Sequence, residues 1–191
     1  MIYVVLACRA VLVGIFVVSL AGKIRGRKAY ASFRMSVIEW RVLSRRLSAA
    51  AAVGAVACEA GVVVLLALPW AVWSGFVLAG VVLAAFTVGI SLALRRGRTA
   101  VCRCFGASTT PLGMTQVVRN LLLLAVCVTG AVGATVSSGP PRNLPGSAVA
   151  LSAAATAVLF VVRLDDVLAL LGPPVSAAAT GGRVPEKSNY R

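Results

Sequence analysis

The chain has 191 residues, 60% of them hydrophobic and only 13% charged, with a mean hydropathy of +0.96. Soluble domains carry about 45–50% apolar and about 25% charged residues, so this composition excludes a water-soluble core and requires apolar surface that faces lipid. The net charge of +14 is gathered in short stretches between apolar segments, which argues for membrane orientation and against nucleic acid, and the lack of any His excludes a His-ligated metal or haem site within the chain.

The first apolar segment is Ile2–Gly22, with Arg9 as its one charge. A cleavable signal has a basic start and a shorter apolar run, so this segment reads as a retained span. Lys23, Arg25, Arg27, Lys28 and Arg34 follow, and a polar loop is expected to run on to Arg45-Arg46. The second span is Leu47–Leu68, with Glu59 inside it, and Pro69-Trp70-Ala71 marks a turn whose aromatics suit the head-group level. The third span is Val72–Leu94 and the fourth is Val117–Val136. At about 1.5 Å per residue, some 20 residues cross a hydrocarbon core of about 30 Å, a length these segments reach.

A fifth apolar segment, Ala148–Val162, is shorter and follows a loop carrying Pro140-Pro141 and Pro145. Apolar length favours crossing, with a surface-packed helix as the rival reading. Beyond Pro173-Pro174 the Ala-, Gly- and Ser-rich tail reads as disordered. The expected fold is an all-α integral membrane bundle, with four core transmembrane helices and a fifth beside them. Residues 1–136 form the core domain, 137–172 a loop and the extra helix, and 173–191 a tail expected to be disordered and, with five crossings, cytoplasmic. The basic residues lie near alternate span ends. The positive-inside rule therefore places loops 23–46 and 95–116 in the cytoplasm of a multi-pass cell-membrane protein, with the N-terminus outside.

The loop between the third and fourth spans holds Cys102-Arg103-Cys104-Phe105-Gly106. Two thiols one residue apart close on each other or pass a disulfide to a partner. Nearby arginines such as Arg103 favour the reactive thiolate, and a strained, exposed disulfide is oxidising. Phe105-Gly106 offers a turn with an apolar docking edge. The spacing is also met by idle cysteines or by a partial metal clip, so thiol chemistry is one of two open readings. Arg119-Asn120 opens the next span, either to bond the loop, a thiolate or a phosphate, or as an interfacial anchor.

Arg9, Lys23 and Glu59 are the intramembrane polar candidates, and Glu59 within a span is a functional candidate by default. Its depth below the outer end of its helix matches that of Arg9 in the first span, so the two are expected to pair across antiparallel helices. A structural ion pair and a proton or quinone-contact site both fit. Cys8, Cys58 and Cys127 sit in apolar spans and are assigned to packing. No metal site and no cofactor motif is read.

The ordered set of Arg9, Phe16, Gly22-Lys23-Ile24, Glu59, Phe86, Gly97-Arg98, the Cys102–Gly106 turn and Arg119-Asn120 resembles the methylamine utilisation MauE family, within the wider DoxX-like membrane proteins. The likeness covers about Tyr3 to Val136, and it departs from the family at Arg103, where Gly is common. It implies a redox-associated membrane protein that supports thiol–disulfide exchange in maturing an exported client enzyme, methylamine dehydrogenase in the family, with a thioredoxin-like redox protein as partner. Cys102 and Cys104 would then be the exchanging pair. Against this stand a non-catalytic assembly or docking factor, and a small-solute carrier using Glu59, which the lack of repeated halves disfavours.

Overall fold

In the computed structural model the described residues are 1–40, 42, 44–96, 114–136 and 143–171, the side chains of 164–171 excepted. They form helices α1 (Ile2–Ile24), α2 (Arg27–Glu39), α3 (Arg45–Ala67), α4 (Val72–Arg95), α5 (Met114–Val136) and α6 (Leu144–Leu171). Five of them, α1, α3, α4, α5 and Leu144–Arg163 of α6, are long and apolar enough to cross a membrane. The protein is a multi-pass, all-α membrane bundle.

The chain runs up and down through the bundle. α1 and α4 end on one face, where α3 and α5 begin. This basic face carries Arg25, Arg27, Lys28, Arg45, Arg46, Arg95 and Arg96. α1 is the central post, packed against α2, α3, α5 and α6, while α4 closes the bundle between α3 and α5. Leu12, Ile15, Phe16, Val62, Leu66, Phe76, Leu83 and Leu123 form the core. Lipid tails are as apolar as leucine, so close packing rather than the hydrophobic effect joins such helices, and small residues let them approach. Gly130 is one such point. A Cβ there would run into the Phe76 ring, so α4 and α5 meet at a distance only glycine permits.

The fifth span is longer than the apolar run Ala148–Val162. α6 starts at Leu144, and Pro145 falls in its first turn, where its missing N–H has no helical partner to lose. It lies parallel to α1, with Ala150 and Ala154 buried and the backbone N–H of Asn143 donating to Tyr3 Oη at 3.3 Å. The loop expected over Ser137–Gly146 therefore ends earlier than composition suggests. The tail 173–191 lies outside the described residues.

The first basic loop also departs from expectation, because much of it is the helix α2. Phe33, Ser36 and Trp40 are buried, while Arg27, Lys28 and Arg34 are exposed. Positions 33, 36 and 40 recur at helical spacing, so one face docks on the bundle and the charged face looks out.

Candidate functional site

The C-terminal end of α1 holds an ionic cluster. Lys23 and Glu59 are the buried pair, with side chains 1% and 3% exposed. Lys23 Nζ lies 2.6 Å from Glu59 Oε1 and 2.9 Å from Oε2. It also donates to Ser19 Oγ at 2.6 Å, and that hydroxyl donates to Glu59 Oε1 at 3.3 Å. The backbone explains the meeting. Cα–Cβ bonds of a helix tilt toward its N-terminus, so Lys23 folds back one turn along α1 to the level of Ser19. There α3 presents Glu59. Two aromatic faces complete the shell. The ammonium is 4.8 Å from the Phe33 ring centroid and 5.9 Å from that of Phe86. Ring faces carry negative quadrupole charge, so they stabilise the cation where water is excluded. Helices α1, α2, α3 and α4 are tied at this one ammonium.

This geometry corrects the expected Arg9–Glu59 pair. Arg9 instead turns to the other end of α3. Its Nε donates to the Leu66 carbonyl and its Nη2 to the Ala67 carbonyl, the latter at 2.7 Å. The last carbonyls of a helix lack intrahelical partners and carry partial negative charge, so they compete for a cation as a carboxylate does. Lys23 wins Glu59 because it comes from the basic face with a flexible stem. The sequence marks Lys23 as an intramembrane polar residue and as the first cation of the basic stretch, without marking it as the partner of Glu59. Its i+4 relation to Ser19 was the available signal.

Phe86 reaches from this cluster to a second one, where Trp40, Ile90 and Ala93 pack with Val42, Leu94 and Val117. The start of α5 is buried here as well. Gln116, Arg119 and Asn120 are 3%, 4% and 5% exposed, so Arg119 and Asn120 turn into the bundle rather than out to the head groups. The segment that joins α4 to α5 leaves after Arg96 and returns at Met114, so both its anchor points lie on the basic face. Cys102, Arg103, Cys104, Phe105 and Gly106 belong to that segment and lie outside the described residues.

The three described thiols, Cys8, Cys58 and Cys127, are free. Cys8 and Cys127 sit in the core, and Cys58 packs beside it at the wall of a cavity between α3 and α4. Among the described residues no group of His, Cys, Asp and Glu is placed to hold a metal ion.

A family model, methylamine utilisation protein MauE, matches residues 1–133. The chain belongs to this family. The matched region takes in α1 through nearly all of α5 and leaves α6 outside. No curated protein and no solved structure matches the chain. Of the single polar and aromatic positions that resemble the family, the fold gathers Lys23, Glu59 and Phe86 into one cluster. Phe16 joins the core at 3% exposure, and Arg9 caps α3 at the far end.

Proposed function

We propose that this MauE-family protein supports thiol–disulfide exchange at the membrane during maturation of an exported enzyme, within methylamine utilisation, with a thioredoxin-like protein as redox partner. The observation that carries the reading is the Cys102-Arg103-Cys104 pair in a chain that the family model matches from residue 1 to 133. In the exchange, a thiolate of the incoming dithiol attacks one sulfur of the Cys102–Cys104 disulfide. A mixed disulfide forms, and the second incoming thiolate displaces it. The incoming pair leaves oxidised, and Cys102 and Cys104 gain two electrons and two protons as thiols. Arg103 favours the thiolate as leaving group.

The bundle supports this chemistry as a fixed platform. The Lys23–Glu59 pair ties the end of α1 to the middle of α3 within the bundle from which the dithiol segment departs. The gathered positive charge supports a cytoplasmic position for the face where that segment departs, whereas an exported client needs its disulfides formed outside. The loop pair then exchanges with a partner on the inner face, or folds into the bundle to reach the far side.

A second reading, a docking factor without thiol chemistry, draws on the exposed cations Arg27, Lys28 and Arg34 of α2. One experiment separates the two. Labelling of Cys102 and Cys104 in intact cells with permeant and impermeant maleimides reports sidedness and redox state together. A pair that cycles between thiol and disulfide with client load supports exchange, and a pair always reduced under load rejects it.

A further inference from the structure

Between α3 and α4, beneath the end of α2, lies a cavity of about 330 Å³. It follows α3 from Ser48 to Cys58, roughly 15 Å at about 1.5 Å per residue. Its opening is lateral. Val81 and Ala85 line it from the middle of α4, and both are exposed on the flank of a membrane span. Their outer neighbour is lipid, so a molecule enters from the bilayer and not from water. The walls are mostly alanine and valine and hold no charged residue, so they offer no counter-charge for an ionised head group.

Three polar side chains, Ser48, Cys58 and Trp40, interrupt this lining, and the indole is the one with an unpartnered polar atom. Trp40 lines the inner end of the cavity and is 5% exposed. Its Nε1 is buried with no hydrogen-bond partner among the described residues. An indole N–H only donates, so what would satisfy it is an acceptor oxygen, and a carbonyl is one that brings no further donor into the apolar lining. The opposite edge of the ring lies against Gly89. A Cβ there would lie 3.2 Å from Trp40 Cζ3, so the indole packs closely on the glycine.

We propose that this cavity binds a membrane-dissolved molecule with a long apolar body and a carbonyl oxygen, the carbonyl accepting the Trp40 Nε1–H bond. Two membrane constituents share this chemistry, the acyl ester of a lipid and a prenylated quinone. The assignment is independent of the dithiol reading, since no residue of the segment between α4 and α5 takes part.

The test uses the full chain in detergent micelles, with Trp70→Phe and Trp73→Phe so that Trp40 is the sole tryptophan of the three. The probes are a short-chain prenyl quinone and a phosphatidylcholine brominated along its acyl chain, each read by quenching of Trp40 emission. Saturable quenching by the quinone alone assigns a quinone, and by the brominated lipid alone a lipid ester. Saturation by both, with mutual competition, assigns the shared chemistry. In each case the indole N–H resonance of ¹⁵N-labelled protein shifts downfield. Ala55→Phe from the α3 wall and Ala85→Leu from the α4 wall fill the space. Each is expected to weaken the saturable phase at least tenfold, and having two keeps the test open if one fails to fold. Quenching that rises linearly and is unchanged in the filled variants overturns the proposal, as does an indole resonance that stays in place.

Discussion

The Lys23 ammonium answers both carboxylate oxygens of Glu59, at 2.6 and 2.9 Å, although the two residues begin at different depths of the bundle. Lys23 is one residue from the end of α1, and Glu59 is in the middle of α3. The lysine stem spans the gap. The pair is sealed by Phe33 from α2, so the helix that sequence patterning left as loop becomes the lid of the charge cluster.

Breaking this pair from one side strands a charge. Glu59→Gln and Lys23→Met are each expected to cost about 3–5 kcal/mol, because the remaining ion is desolvated without a partner. Removing both ions together, with Lys23→Met and Glu59→Met, should recover most of that loss. Thermal unfolding in detergent measures the cycle. Single variants as stable as the parent would show that the cluster contributes nothing to the bundle.

Arg9 makes a separate and smaller contribution. It satisfies the Leu66 and Ala67 carbonyls at the end of α3. Arg9→Met is expected to cost about 1.5 kcal/mol, the low end for hydrogen bonds to a charged group, since the Ala67 contact is open to solvent. Arg9→Lys should restore only part, as a single ammonium lacks the planar fork that reaches two carbonyls. Amide hydrogen exchange at Leu68 and Ala71 should speed up in both variants and more in the methionine. Unchanged exchange would remove Arg9 from its capping role.

Much of the fold is legible before any coordinates, because apolar length sets membrane spans directly. α1, α4 and α5 begin and end within a few residues of where hydropathy puts them. α2 was hidden because its charged face dominates composition, and only Phe33, Ser36 and Trp40 mark the inward face. The pairing was hidden for a different reason. Depth matching treats side chains as points at their Cα, whereas a lysine reaches back a full turn and an arginine finds helix-end carbonyls as good as a carboxylate. Lys23, Glu59 and Phe86 are each weak as single matches to a family, and only the fold places them around one ammonium. The cavity beside Trp40 has no sequence signature, since alanines and valines at a wall look like alanines and valines facing lipid.

Gly130 tests the packing of the core independently of charge. A methyl at this position would overlap the ring of Phe76 from α4. Gly130→Ala is expected to cost about 1–3 kcal/mol through overpacking. Phe76→Leu, which removes the ring, should make the second substitution nearly neutral. A double variant that simply adds the two losses would place the contact elsewhere.

The dithiol and the ionic lock are expected to separate cleanly by variant. Cys102→Ser and Cys104→Ser leave every described contact of the bundle in place, so both proteins should insert and unfold at the parent temperature. Client maturation, read as the fraction of client cysteines in disulfides, should nevertheless fall to background in each. Arg45→Glu with Arg46→Glu removes charge from the face where α3 begins, and under the exchange reading it lowers client maturation only as far as it lowers membrane insertion. The docking reading makes the opposite forecast. Cysteine variants would then mature the client normally, and charge reversal would abolish partner recovery from membranes at unchanged protein level. Co-purification with a thioredoxin-like partner whose second cysteine is replaced by serine adds a direct readout. The exchange reading expects a mixed disulfide that traps the partner on the parent protein and is absent when Cys102 and Cys104 are both serine. Trapping that persists in the double serine variant would move the chemistry to Cys58, whose thiol is the one free sulfur among the described residues at the wall of the lateral cavity.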